Sequence, residues 1–448
     1  MTQGRPWKVL LTFAVPLILS AIIQHFYNLA DSVIVGNYAG LHGGISGQNA
    51  LAAVGASSTV TALFISLGSG GSIGCGVVIS QLFGARRYAD MKSTLYTSLL
   101  FFGAVALVLT AVGSVVATPL TGLMNTPEDI FAPATDYLRI YMFGLPFLFL
   151  YNVCNAIFNA LGDSRKPLFF LIFSTLFNIA LDYLFVAKCG WNVKGVAWAT
   201  FIAQGVACLL SLFVLLYKVR GMETGGGTVR YFDNKKLLAM LRIGVPSMLQ
   251  MSVVSVGALL VQAVVNTFGA AFIAGYSSAV KVHNFLATAI YTSGSAVSTF
   301  TAQNIGANRY DRVGEGIRAA LVCMVSFCVV VAVTVFLFGE NFIRLFMDSP
   351  SREALDAGVY YLRLICVGMI PFCFFSCFNG VARGAGYMPA FVVSTFSDLL
   401  VRVVFCYAFV SVLERRVVTI SVLAGWSVGI IISTAFHLSG RWKHAKRL

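Results

Sequence analysis

Twelve stretches of nearly unbroken apolar residues follow one another along the chain, at roughly 10–38, 51–80, 93–119, 134–160, 167–187, 194–217, 239–268, 271–300, 315–339, 356–380, 388–411 and 417–439. Each is about as long as the ~20 residues a helix needs to cross a bilayer. The runs are continuous and do not alternate apolar with polar, which predicts helices and excludes a barrel. The longest polar interruption, 218–237, divides them six and six.

The two sixes repeat each other. "QLFGARRY" at 81–88 returns as "QNIGANRY" at 303–310, and "YLR" at 137–139 returns at 361–363. "VP" at 15–16 and "ST" at 174–175 reappear at 245–246 and 394–395. Six spans is an even number, so both halves enter the membrane the same way. The expected fold is therefore an all-α integral membrane protein of twelve transmembrane helices, in two six-helix lobes related by a pseudo-two-fold axis along the membrane normal. The lobes are 1–217 and 238–448, joined by the cytoplasmic linker 218–237. Two such lobes suit alternating access by rocking around a central cleft.

Composition supports this class. The chain is 58% hydrophobic and 11% charged, too few charges to solvate a soluble protein of 448 residues. The net charge of +14 is no nucleic-acid signal, because its distribution follows the positive-inside rule. With the N-terminus cytoplasmic, 21 Lys and Arg fall on that side and six on the other. Both termini are then expected in the cytoplasm, with no cleavable signal peptide. Ten Cys scattered through the runs read as small apolar fillers. "GSGGSIGCG" at 68–76 has no strand before it, so it reads as a close helix-packing face and not as a phosphate loop. The glycines of the two "QxxGAxRY"-type turns are expected to end their helices, with Arg and Tyr anchoring the interface.

Few ionisable groups are left inside the runs: Asp31, Asp182, Asp398, Lys281, Arg402, His25 and His283. Counting inward from the outer ends at 1.5 Å per residue puts Asp31, Asp182 and Thr200 about 9–10 Å deep, at one level. Gln24, Tyr27 and Asp31 share one face of the first span, and Asn178 and Asp182 one face of the fifth. No Lys or Arg of the first half lies at that level. In the second half, Asp398 and Arg402 occupy the repeat positions of Asn178 and Asp182 and can close an i, i+4 ion pair. Buried polar residues also serve as glue between helices, but usually as amides and hydroxyls. Two unpaired carboxylates with an amide and a hydroxyl suit a small cation: a shared H⁺, or Na⁺ on oxygen ligands. The sequence offers no HExxH pair, no Ser/His dyad at one depth and no acidic metal motif, so no enzyme is expected.

"VPLILSAIIQHFYNLADSVIVG", "LAAVGASS" and "SQLFGA", with their echoes in the second half, resemble the multidrug and toxic compound extrusion (MATE) family, in its DinF-like prokaryotic branch. The resemblance covers nearly the whole chain. It implies a secondary antiporter of the prokaryotic inner membrane. Such a protein exports amphipathic, cationic organic compounds or drugs in exchange for H⁺ or Na⁺, works as a monomer in the bilayer, and has no cofactor and no nucleic-acid partner. It places the cation-coupling site on Asp31, Asn178, Asp182 and Thr200, which are also the metal ligands if Na⁺ is the ion. Gln24, Tyr27 and Asn155 match cavity-lining positions, and Pro16 the proline at which the first helix bends. The C-lobe acids of another branch are absent: the seventh span has none and the tenth has Asn379. Lys281 adds positive charge, with two readings open, a substrate contact in the cavity or a hydrogen bond to a helix end. The alternative function is a lipid-linked precursor flippase of the same superfamily.

Overall fold

The computed structural model describes residues 1–41, 43, 45–347 and 350–444. The last two basic residues of the tail, Lys446 and Arg447, lie outside the described residues. Among the described residues, thirteen α-helices account for the twelve runs: α1 (Pro6–Tyr38), α2 (Gly47–Gly84), α3 (Tyr88–Leu123), α4 (Glu128–Phe143), α5 (Leu145–Ala160), α6 (Arg165–Asp182), α7 (Asn192–Arg220), α8 (Asn234–Val265), α9 (Ala270–Gly306), α10 (Tyr310–Arg344), α11 (Arg352–Gly384), α12 (Met388–Leu413) and α13 (Val417–Leu438). The fourth run is one span broken in two, because α4 and α5 meet at Gly144 with a 49° bend. Pro146, in the first turn of α5, removes a backbone donor at that break. The eighth run, α9, is helical but is not among the helices apolar enough along one stretch to count as a span by composition alone; it carries Lys281, His283 and a series of Ser and Thr. No strand occurs among the described residues.

Packing groups the chain into two compact units, Leu19–Met248 and Met1–Ile18 with Leu249–Leu448. In the first unit, α2 carries the small-residue stretch read above as a packing face. A Cβ on Gly74 would lie 2.1 Å from the carbonyl oxygen of Met240, and one on Gly70 2.7 Å from Cα of Met248. Gly70 and Gly74, one turn apart, thus let the backbone of α2 rest on the start of α8. The polar linker is docked along α3: the Arg230 and Asp233 amides donate to Ser93 Oγ (2.8 Å) and Thr97 Oγ1 (3.0 Å). Asp233 then caps α8 through the amides of Lys235 and Lys236.

In the second unit the start of α1 belongs with α9 and α10. Phe13 and Ala14 pack on Ala296, and the Arg312 guanidinium donates to the carbonyl of Gln3 (2.9 Å). The main core joins α9, α10, α11 and α13, with Phe300, Phe372 and Trp426 in it.

The repeated turns differ from expectation in one detail. Gly84 and Gly306 are the last helical residues, and the left-handed position falls two residues later, on Arg86 (φ 59°) and Asn308 (φ 58°). Asn tolerates that conformation better than Arg does. The same local hydrogen bonds recur in both turns, Arg87 N–H to the Leu82 carbonyl and Arg309 N–H to that of Asn304.

Candidate functional site

The acidic cluster is built inside the first unit from α1, α6 and α7. Asn178 on α6 is fully buried between Asp31 on α1 and Asp182, one turn further along its own helix. The Thr200 backbone N–H donates to the Asn178 side-chain oxygen (3.3 Å). That contact turns the amide nitrogen the other way, where it donates to Asp31 Oδ1 (2.9 Å) and Asp182 Oδ2 (3.0 Å). The reverse orientation would set an oxygen against two carboxylates. Asp31 and Asp182 are themselves within hydrogen-bonding reach of each other. Ionised carboxylates only accept, so this contact is repulsive unless a proton or a cation lies between them.

Asp182 is fully buried, and its Oδ1 has no hydrogen-bond partner. No Lys or Arg among the described residues pairs with either acid; the described ion pairs lie elsewhere. The Tyr27 hydroxyl lies beside Asp31 and 3.4 Å from Thr200 Oγ1. A π-helical turn, Tyr183–Lys188, follows Asp182 directly. Such turns are rare and concentrate at functional positions, because the widened turn frees backbone groups.

The structure therefore brings Asp31, Asn178, Asp182, Thr200 and Tyr27 together. Gln24 is exposed on α1. Asn155 is half-buried on α5, with its Oδ1 unpartnered and Tyr151 beside it. Pro16 lies inside α1, which continues through it. Lys281 is exposed on α9 with its ammonium 5.5 Å from the centre of the Phe346 ring, just past the end of α10. Asp398 and Arg402 form the expected ion pair (3.1 Å). One neighbour escaped the sequence reading: Tyr137 lies close enough to feel the charge of both acids. The signal was there in the repeated "YLR", since its second copy puts Tyr361 OH 3.0 Å from Nδ1 of His283.

A helical bundle of apolar spans, with an acidic cluster that has no fixed counter-charge among the described residues, has the make-up of a membrane transporter. Sequence comparison gives the family: the MatE family model matches residues 16–184 and again 246–408, and the chain belongs to that family. Its members are transporters and not enzymes. The chain is 28% identical to the "Probable multidrug resistance protein YpnP" of Bacillus subtilis, over 99% of this chain and 98% of that protein. It is 31% identical to the "Probable multidrug resistance protein YoeA" of the same organism, over 77% of this chain and 74% of that protein. Its fold is that of a solved MOP-superfamily transporter from Pyrococcus furiosus, with TM-score 0.88 at 22% identity, covering 100% of this chain and 98% of that one.

Proposed function

We propose that this protein is a secondary antiporter of the DinF-like branch, exporting amphipathic, cationic organic compounds in exchange for an entering cation. The observation that carries the reading is the juxtaposition of two carboxyl groups, the half-buried Asp31 and the fully buried Asp182, on one amide donor, with no basic partner among the described residues. A site of that kind holds one positive charge when filled and repels itself when empty. Coupling follows if the ion and a cationic substrate compete for the same negative charge. Relatives named as multidrug resistance proteins support export of organic compounds.

H⁺ fits the site better than Na⁺. Thr200 N–H holds the Asn178 oxygen, so the amide offers the site a donor; Na⁺ would need that amide reversed to present oxygen. Asp31 and Asp182 exchange the proton, Asn178 holds them in register, and Thr200 orients Asn178. Gln24, Tyr27 and Asn155 line the substrate path, and Pro16 permits α1 to bend. The protein works as a monomer in the prokaryotic inner membrane with both termini cytoplasmic. The flippase alternative calls for several unpaired cations deep in the spans, and the two candidates there do not favour it: Arg402 is held by Asp398, and Lys281 stacks on Phe346.

The test is efflux of a cationic dye from proteoliposomes under separately imposed pH and Na⁺ gradients. Export driven by the pH gradient alone supports H⁺ coupling, and export driven only by Na⁺ overturns it. Export indifferent to both gradients overturns antiport itself.

A further inference from the structure

A second polar feature lies wholly within the second unit, on elements unconnected with the acidic cluster. A groove of about 380 Å³ runs between α10 and α11, with Phe336, Val359, Leu364 and Val367 on its apolar walls and Arg363 among them. At the neighbouring residue Phe338 the α10 backbone leaves helical geometry (φ −119°, ψ 16°). Such a kink loosens the helical ladder around it. Two residues before it, Phe336 O accepts from the Arg363 guanidinium (3.2 Å), which also lies against the Phe336 ring.

Charge around the groove does not balance. Glu340 pairs with Arg344 and Asp356 with Arg352, and Arg415 pairs with Glu353. Arg363 has no carboxylate among the described residues. Neither has Arg416, which sits over the ring of Tyr360, another residue lining the groove. Glu340, Asp356 and Arg352 line the groove as well, each in an ion pair, so Arg363 in the groove and Arg416 at Tyr360 are the two guanidinium groups there with most of their donors unused.

Depth identifies the setting. α10 has 35 residues, about 52 Å of helix, against about 30 Å of hydrocarbon. A centred helix therefore extends about 11 Å beyond the hydrocarbon at each end. Phe336 lies eight residues before the end of α10 at Arg344, about 12 Å along the axis. The Arg363–Phe336 contact thus falls at the boundary between acyl chains and headgroups. An exposed, half-satisfied arginine at that level, above apolar walls, meets a lipid phosphate with its acyl chain alongside.

We propose that the α10–α11 groove is a binding site for one anionic phospholipid, its phosphate held by Arg363 and Arg416 and an acyl chain lying along Val359, Leu364 and Val367. Arg363 forms a forked contact with the phosphate, and Arg416 adds charge at the groove mouth.

The test is native mass spectrometry of the purified, delipidated protein titrated with dioleoylphosphatidylglycerol and, separately, with dioleoylphosphatidylcholine, followed by melting curves in each lipid. Each arginine near the surface is worth about fivefold in affinity for anionic lipid. Wild type should prefer phosphatidylglycerol by about 25-fold, with Arg363→Gln and Arg416→Gln each losing about fivefold of that preference. The double variant should lose it altogether. Arg416 is exposed on a short turn, so Arg416→Gln carries the test alone should Arg363→Gln fail to fold. Equal retention of the two lipids by wild type overturns the proposal. So does an undiminished preference in Arg416→Gln, and so does a melting curve that falls equally in both lipids. Inorganic phosphate that protects as well as phosphatidylglycerol would make the groove a site for soluble phosphate and overturn the lipid assignment.

Discussion

Asp31 and Asp182, on different helices and far apart in the chain, accept hydrogen bonds from the same amide nitrogen, that of Asn178, at 2.9 and 3.0 Å. Neutralising either acid with Asn keeps the size and the hydrogen bonding but removes the exchangeable charge. Asp31→Asn should insert and fold, and its substrate export in vesicles should drop to the leak level. Export at the wild-type rate would remove Asp31 from ion coupling.

Asp398 plays a different part. It is buried and accepts from Nη2 of Arg402, whose Nε has no hydrogen-bond partner. Asp398→Asn leaves that cation unpaired, a loss of about 3 kcal/mol or more. Asp182→Asn strands no cation. Melting in detergent should therefore rank Asp398→Asn as the less stable of the two, and the opposite order would contradict this division between the units.

Gly74 and Gly55 lie on the same helix in opposite circumstances. A Cβ on Gly74 meets the Met240 carbonyl and the Gly244 backbone, whereas one on Gly55 meets nothing within 4 Å. Gly74→Ala should destabilise by about 2 kcal/mol through backbone clash. Gly55→Ala should be neutral or slightly stabilising, since Ala has the higher helix propensity. Thermal melting of the two single variants measures the contrast.

Asp163, in the turn between α5 and α6, binds Lys218 of α7 (2.8 Å) and Lys166 (3.6 Å). Burial pushes its carboxyl up, but the hydrogen bond and charge of Lys218, with the charge of Lys166, outweigh it and hold the group below 3.8. A carboxyl depressed in the folded state contributes fully above its ordinary value and loses that contribution as the pH falls below it. Asp163→Asn should lower the melting temperature at pH 7, and the gap from wild type should close below pH 3.8. A gap that widens on acidification would reject the tie between α7 and this turn.

Lys281 separates two expectations for substrate charge. In the cavity, its replacement by Gln would improve transport of simple cations and weaken that of zwitterions. Its ammonium rests on Phe346 at the end of α10, a contact worth about 0.5–1 kcal/mol at an exposed site. Lys281→Gln should therefore change both substrate classes in parallel, together with a small fall in melting temperature. Opposite changes in the two classes would place the ammonium on the substrate path.

The sequence by itself determined the twelve spans, their repetition and the depth of the acids, because hydropathy, helical rise and periodic faces are local properties that can be counted along a chain. Asp31, Asp182 and Thr200 could be set at one level in this way, Asn178 on the face of Asp182 one turn away, and the Asp398–Arg402 pair followed from spacing within one helix. Depth leaves rotation about each helix axis open, and only packing decided it. Tertiary structure brought Tyr137 near the acids and Lys281 onto Phe346. It broke the fourth span at Gly144, and it packed the start of α1 with one unit and the start of α8 with the other. The direction of the Asn178 amide was beyond any reading of the chain, because an amide faces as its partners require, and the deciding one is the backbone N–H of Thr200 on another helix.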